Sequence, residues 1–399
     1  MSARTALTGN YAVARAMKQI RPDVVAAYPI TPQTDVVEEF SQFVADGLVP
    51  TEFVACESEH SAMSTCIGAA AAGARVMTAT SSQGLALMWE MLYIASGYRL
   101  PVVMALVNRA LSSPINIHCD HSDGMGARDS GWIQLYCKNQ QEAYDTMIQA
   151  VRIAEHPDVL TPVMVCYDGF LVSHALASVE LLEDDKVADF VGTYTPKYPL
   201  LDYKKAVTYG PLVLFDYYHE IKRQQVEGIL SAPPVIEEVG RQFGETAGRY
   251  YGLIEPYRLD GAEVAVVALG SAASTAEVVV DGLRDRGIAA ASLCVRCFQP
   301  FPRELVAEKL GSLKAVAVLD RAESFGAQGG PLATMVEASL YRAGKSVPVV
   351  SYIYGLGGRD TGVKDIAQVY DRLLGIVKGG EIGKPYSYLA VRGGDDNGR

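Results

Sequence analysis

The sequence is short of positive charge. Its 35 Lys and Arg stand against 46 Asp and Glu, a formal net charge of −11. No basic stripe interrupts that balance, which argues against nucleic acid and against an anionic membrane surface as natural partners. Long apolar runs are missing too. None is long enough to span a bilayer, and no charged-then-apolar leader opens the chain, which predicts a soluble, cytoplasmic protein. There is no P-loop and no nucleophile elbow framing a serine. The run Gly355-Leu356-Gly357-Gly358-Arg359-Asp360 is glycine-rich but lacks the G-x-G-x-x-G spacing that seats a dinucleotide. Cysteine is sparse. Cys56, Cys66, Cys119, Cys137 and Cys166 stand singly, as reduced cytosolic thiols do. Cys294 and Cys297 form a C-x-x-C with no second pair, whereas zinc or an iron–sulfur cluster takes about four ligands. The two are read as the end of a buried strand, and no cluster is expected in this chain.

What the sequence has is the material for a large core. Of its 399 residues 49% are apolar and 20% charged, which suits two or three globular domains. Thr8 to Ile20 reads as a helix capped by Thr8. Val24–Ala27 is a short buried strand ending in the double-proline turn Tyr28-Pro29-Ile30-Thr31-Pro32. Thr34 is expected to cap the next helix, which Gly47 stops. Glu52–Cys56 is a strand, Ser61–Gly73 a small-residue helix, Arg75–Thr78 a strand, Leu85–Ser96 a helix and Pro101–Val107 a strand covered on both faces. A long polar loop, Asn108–Asp129, is followed by a helix near Gln141–Ala154 and a strand at Pro162–Tyr167. This alternation predicts an α/β fold with a doubly wound, mostly parallel sheet. The pattern weakens from Leu171 to Leu259, apart from an amphipathic helix near Asp216–Leu230. Strands at Val264–Ala268, Ala289–Cys294, Ala315–Leu319 and Val347–Ile353 then mark a second doubly wound domain. The expected division is 1–240, 241–385 and a polar tail, 386–399, disordered over Gly393–Arg399.

Ligands of such folds bind at the carboxyl ends of the strands, which draws attention to three residues. Glu59 opens the alanine-rich helix. It is either a charge that complements the helix N-terminus, a duty Glu57 performs equally well, or a buried acid sharing its proton with a heteroaromatic nitrogen. Thr31, between prolines, is either a plain turn residue or an aimed hydroxyl. Arg109 follows a strand, and its planar fork suits either a salt bridge or a substrate carboxylate. The run Ile117-His118-Cys119-Asp120-His121-Ser122-Asp123 has residue types that bind metals but not the spacing. It is read as an active-site loop whose polar groups bond to one another.

Several motifs carry a resemblance. Tyr28-Pro29-Ile30-Thr31-Pro32, Glu57-Ser58-Glu59-His60, Thr80-Ser81-Ser82-Gln83-Gly84, Asn108-Arg109-Ala110-Leu111-Ser112, Asp120-His121-Ser122-Asp123 and Arg128-Asp129-Ser130-Gly131-Trp132 resemble the α subunit of 2-oxoacid:ferredoxin oxidoreductases, the pyruvate synthase group. Val318-Leu319-Asp320-Arg321, Gly329-Gly330-Pro331 and Gly355–Asp360 extend the likeness over nearly the whole chain. The resemblance implies an N-terminal domain that binds the pyrimidine of thiamine diphosphate and a transketolase C-terminal-like second domain. It implies that Glu59 bonds the ring nitrogen, with Tyr28 and Pro29 also at the cofactor, and that Thr31 and Arg109 hold the 2-oxoacid carboxylate.

No Gly-Asp-Gly followed by Asn-Asn is present to bind a magnesium diphosphate. The diphosphate and Mg2+ are therefore expected on a β subunit, and [4Fe-4S] clusters on γ and ferredoxin-like δ subunits. The activity implied is oxidative decarboxylation of a 2-oxoacid to its acyl-coenzyme A, with electrons passing to ferredoxin or another acceptor, and only in the complex. Pyruvate is the expected acid, because no extra basic residue in the shared motifs marks 2-oxoglutarate. A branched-chain acid, or an aryl acid such as phenylglyoxylate with NAD as final acceptor, is the alternative. A non-catalytic scaffold subunit is the alternative of another class, and the intact Glu59, Thr31 and Arg109 speak against it. A thiamine-dependent synthase acting alone is disfavoured by the missing diphosphate motif.

Overall fold

The computed structural model describes residues 3–384 and 386–392, so the tail Gly393–Arg399 lies outside the described residues. Strand β1 (Ala3–Leu7) leads to helix α1 (Gly9–Ile20), which Thr8 caps: its hydroxyl accepts from the Tyr11 amide at 3.3 Å. Strand β2 (Val24–Ala27) runs into the proline turn, and α2 (Thr34–Ala45) follows. Thr34 does not cap α2. Gln33 holds the cap position in helical conformation, and its side chain turns back to accept from the Ile30 amide at 3.2 Å, so Thr34 is the first helical residue. The chain continues through β3 (Glu52–Ala55), α3 (Glu59–Ala72), β4 (Val76–Thr80), α4 (Ser82–Leu87), α5 (Trp89–Gly97) and β5 (Val103–Asn108).

The stretch read as one polar loop contains a short helix, α6 (Ser122–Gly126), and β6 (Ile133–Cys137) follows it unanticipated. Gln134 breaks the apolar run of β6 in the sequence. It is buried nonetheless, because its amide donates to the Gly124 carbonyl at 2.7 Å. Helix α7 (Gln140–Glu155) and strand β7 (Val163–Asp168) complete the first βα series.

The weakly patterned stretch holds β8 (Ala177–Leu181), α8 (Asp184–Val191), α9 (Tyr218–Leu230), α10 (Ala232–Ala247) and β9 (Ile254–Tyr257). Strand β8 pairs antiparallel with β1. Helix α10 runs through position 240 and buries Ile236, Val239 and Phe243 in the core that α7 also lines. The second series is β10 (Val264–Ala268), α11 (Ser271–Arg284), β11 (Ala290–Val295), β12 (Cys297–Gln299), α12 (Arg303–Leu310), β13 (Ala315–Asp320), α13 (Pro331–Arg342), β14 (Val349–Ile353), α14 (Val363–Val377) and β15 (Tyr386–Tyr388). The last strand falls where a polar tail was expected. Tyr386 and Tyr388 flank a buried Ser387, and the segment pairs parallel with β14.

Two doubly wound sheets result. The first has the order β12-β6-β7-β5-β4-β2-β3, parallel except for β12, and the second β15-β14-β13-β10-β11-β9, parallel except for β9. Because β12 crosses into the first sheet, Cys294 and Cys297 lie in different sheets; they do not end one strand together. One apolar layer fills the space between the sheets, with Ala26, Met104 and Leu106 from one side and Val267, Leu293 and Val318 from the other. Burying each such Val or Leu side chain contributes about 1.5–3 kcal/mol, so the two domains share a core and are held as neighbours. In the first sheet the chain passes from β2 outward to β3, then back across β2 to β4. That reversal opens a crevice at the carboxyl ends of β2 and β4, where α/β folds seat their ligands.

Candidate functional site

Four turns meet at that crevice, those after β2, β3, β4 and β5. They deliver Thr31, Glu59, Thr80–Gly84 and Arg109 respectively. The turn before α3 separates the two candidate glutamates. Ser58 caps the helix, accepting from the Ser61 amide at 3.2 Å, and exposed Glu57 accepts from the Ser61 hydroxyl. Those contacts give Glu57 the local task at the helix end. Glu59, at the first helical position, points inward with 6% of its surface exposed, and it makes no hydrogen bond or ion pair among the described residues.

The space around the Glu59 carboxylate depends on Gly84. A Cβ there would lie 2.7 Å from Glu59 Oε1 and would collide with the Thr80 hydroxyl. The Thr80 and Ser81 hydroxyls are fully buried and also lack partners. Buried polar groups are ordinarily bonded. An unpartnered carboxylate and the unpartnered Thr80 hydroxyl, both let close by a glycine with no Cβ, fit a planar nitrogen heterocycle able to donate and accept.

Asp123 ties this turn to the end of β5. Its Oδ2 accepts from the Ser82 and Arg109 amides, each at 3.0 Å, and its Oδ1 from Asn108 Nδ2 at 2.8 Å and the Gly124 amide at 2.7 Å. Burial pushes its pKa up to about 6 against the pull of those donors. In the sequence Asp123 was one acid in a polar run. Its role became legible only once α6 turned it back onto β4 and β5.

The structure brings Thr31 and Arg109 together. Arg109 Nη1 donates to the Thr31 carbonyl at 2.8 Å, and Nε to the Asn116 carbonyl at 3.0 Å. Arg109 is 7% exposed, and burial lowers its pKa while Asp123 opposes that. Thr31 itself is exposed, and the Pro32 carbonyl beside it accepts from Asn10 Nδ2 at 2.7 Å. Tyr28 and Pro29 are exposed at the same sheet edge. No hydrogen bond among the described residues joins Glu59 to Thr31, Arg109 or Tyr28.

The loop from Ile117 to Asp123 is drawn into a buried charge cluster. Asp168, at the end of β7, accepts from His121 Nε2 at 2.7 Å and from Arg321 Nη1 at 2.8 Å, with Ser271 bonded to the same carboxylate. Burial alone would raise the Asp168 pKa, but Arg321 and His121 outweigh it and hold the carboxyl far below its ordinary range. Cys119, His121 and Asp168 are close enough to share an ion. The guanidinium already on Asp168 opposes a cation there, so the cluster is read as an ion-pair lock between the domains.

Comparison with known proteins gives a consistent set of matches. A family model described as pyruvate flavodoxin/ferredoxin oxidoreductase, thiamine diphosphate-binding, matches residues 15–241. A second, pyruvate:ferredoxin oxidoreductase core domain II, matches residues 262–366. The pyruvate synthase subunit PorA of Thermotoga maritima is 55% identical over 389 residues, 98% of each chain. That of Methanocaldococcus jannaschii is 48% identical over 92% of this chain and 94% of its own. The ketoisovalerate oxidoreductase subunit VorA of Pyrococcus abyssi is 41% identical over 97% of each. Among solved structures, the 2-oxoglutarate:ferredoxin oxidoreductase from Magnetococcus marinus, with 2-oxoglutarate, coenzyme A and succinyl-CoA bound, matches with a TM-score of 0.73 at 20% identity. The match covers 93% of this chain and 65% of that longer one, and shows a shared fold.

Proposed function

The chain belongs to the pyruvate:ferredoxin oxidoreductase family, and on that premise we propose that it is the pyrimidine-binding subunit of a multisubunit enzyme that oxidises pyruvate. With coenzyme A the products are acetyl-CoA and carbon dioxide, and the electron pair goes to ferredoxin. The observation that carries the reading is Glu59, a buried carboxylate without a partner, over the room Gly84 leaves.

Glu59, with the Thr80 and Ser81 hydroxyls, would hold the aminopyrimidine of thiamine diphosphate. When bound, that cofactor supplies the electron sink for decarboxylating a 2-oxoacid. The task of Glu59 is to hold a proton against a ring nitrogen in a site where solvent is scarce. Tyr28 and Pro29 lie at the edge where the cofactor would be covered. Arg109 and Thr31 receive the substrate carboxylate, since a guanidinium pinned at two points keeps its remaining edge aimed. The missing diphosphate motif and the single C-x-x-C support a division of labour in which a β subunit binds the diphosphate and Mg2+. The [4Fe-4S] clusters would then lie on γ and δ subunits. The VorA relative supports 2-oxoisovalerate as the second substrate to test.

The test is reduction of a viologen dye by the native complex purified through this chain. Pyruvate, 2-oxoisovalerate, 2-oxoglutarate and phenylglyoxylate are compared with and without coenzyme A. Coenzyme A-dependent reduction favouring pyruvate is expected. Glu59→Gln in the assembled complex is expected to lower turnover by about 10²–10⁴-fold with assembly unchanged. A complex that carries thiamine diphosphate and clusters yet reduces no dye with any of the acids would overturn the assignment, and indifference to Glu59→Gln would leave the scaffold reading.

A further inference from the structure

Arg109 is aimed by a carbonyl that belongs to a loop, and loops do not hold geometry unaided. The carbonyl is that of Asn116, which accepts Arg109 Nε at 3.0 Å. Both ends of the Asn116 side chain are committed as well. Its Oδ1 accepts from the His118 amide at 2.7 Å, and its Nδ2 donates to the Gly357 carbonyl in the second domain at 2.9 Å. That glycine turn grips the loop at further points. The Gly357 amide donates to Asp120 Oδ2 at 3.2 Å, and the Gly358 amide to the Cys119 carbonyl at 2.6 Å. The backbone reaches these positions because Gly355, Gly357 and Gly358 all have positive φ, 64°, 58° and 79°. A Cβ at Gly357 would collide with Asn116 Nδ2, and one at Gly358 with His118 Cβ.

We propose that Asn116 is a positioning residue through which the Gly355–Gly358 turn of the second domain sets the Arg109 guanidinium for the 2-oxoacid carboxylate. The inference rests on the reading of Arg109 as the carboxylate's partner. The path has three links: Gly357 carbonyl to Asn116 amide, Asn116 carbonyl to Arg109 Nε, and the opposite side of the same guanidinium, Nη1, to Thr31. Gly357 sits at the domain junction, and its bond to the Asn116 amide ties it to the residue whose carbonyl holds Arg109 Nε. The second domain thus has a part in substrate binding without contributing a side chain to the substrate.

The test uses the assembled complex carrying Gly357→Ala, Asn116→Ala or Arg109→Ala, with steady-state kinetics against the 2-oxoacid and against coenzyme A. Thiamine diphosphate content and subunit composition are measured alongside. Gly357→Ala and Asn116→Ala are each expected to raise KM for the 2-oxoacid about tenfold, the worth of one well-placed hydrogen bond. Their kcat should stay within about threefold, and KM for coenzyme A should not move. Loss of packing alone would lower the amount of intact complex without splitting KM from kcat. If Arg109→Ala raises KM for the acid while neither of the other two does, the inference is overturned and the reading of Arg109 stands. If Arg109→Ala leaves KM for the acid unchanged, the reading of Arg109 fails and the inference with it. Should Gly357→Ala not assemble, Asn116→Ala alone decides, since it removes a loop side chain and adds no atom.

Discussion

A methyl group at Gly84 has nowhere to go. Built on the observed backbone it stands 2.7 Å from Glu59 Oε1 and overlaps the Thr80 hydroxyl. Thr80 can turn its hydroxyl aside, but the Glu59 carboxylate must move from 2.7 Å out to the 3.4 Å of ordinary contact, a displacement of roughly 0.7 Å. A misplacement on the order of 1 Å costs about a hundredfold in a reaction that depends on alignment. Gly84→Ala is therefore expected to lower turnover by about 30–100-fold, equivalent to about 2–2.7 kcal/mol of barrier. Alanine is the better helix former by about 1 kcal/mol, which offsets part of the cost of overpacking, about 1–3 kcal/mol, so stability should change far less than activity. The assay is pyruvate-dependent viologen reduction by the reconstituted complex, with thermal melting and subunit composition measured in parallel. Turnover within about threefold of the unaltered enzyme, in a complex that assembles normally, refutes the claim that the Glu59 position is set by the space at residue 84.

Gly282, exposed on α11 with nothing within 4 Å of an added Cβ, is the matching control: Gly282→Ala should raise stability by about 0.4–1 kcal/mol and leave turnover alone, read by chemical denaturation. Asp168→Asn leaves the Arg321 guanidinium buried without its counter-charge and should cost about 3–5 kcal/mol; a loss under about 1 kcal/mol in the same denaturation assay contradicts the lock. Asp123 ionises at about 6 in the fold, and protonation takes an acceptor from the Ser82 and Arg109 amides, so kcat/KM for the 2-oxoacid should fall as pH drops through 6. The stability linked to this group runs the other way: its folded pKa lies above its unfolded one, near 3.8, so the native state binds the proton first and stability rises as pH falls between the two. A kcat/KM profile that stays flat down to pH 5 would falsify that role for Asp123.

The βα rhythm was legible because buried parallel strands are nearly continuous apolar runs and the helices between them start and stop on visible caps. Val24–Ala27 and Val264–Ala268 were read without error for that reason. Strand β6 was missed because its burial depends on a bond, Gln134 to Gly124, that sequence pattern does not carry. Strand β12 was missed because it is three residues long and pairs across a domain boundary, and β15 because its two tyrosines and serine show no apolar alternation. The order of the motifs pointed to Glu59, Thr31 and Arg109, but apart from the resemblance, charge and helix position did not separate Glu59 from Glu57. The separation is geometric: Ser61 engages one carboxylate at the surface, and the fold leaves the other inside without a partner.

The residues whose task the sequence did not show share one property: each acts on a segment distant from it in the chain. Asp123 joins the turns after β4 and β5, Asp168 joins loop 117–123 to β13, and Gly357 reaches back to Asn116. Local patterning records what a residue does to its own helix or strand, so such groups look like ordinary loop acids and glycines until the fold closes. Their distribution carries a consequence for the energetics. The fully buried Thr80 and Ser81 hydroxyls are left unsatisfied, and a buried polar group without a partner costs about 1–3 kcal/mol. Beside those open groups, Asp123 accepts four hydrogen bonds, a full complement for a carboxylate, and fastens the turns after β4 and β5 to each other. The site is kept rigid by bonds made around it, which leaves the groups inside it free for what enters.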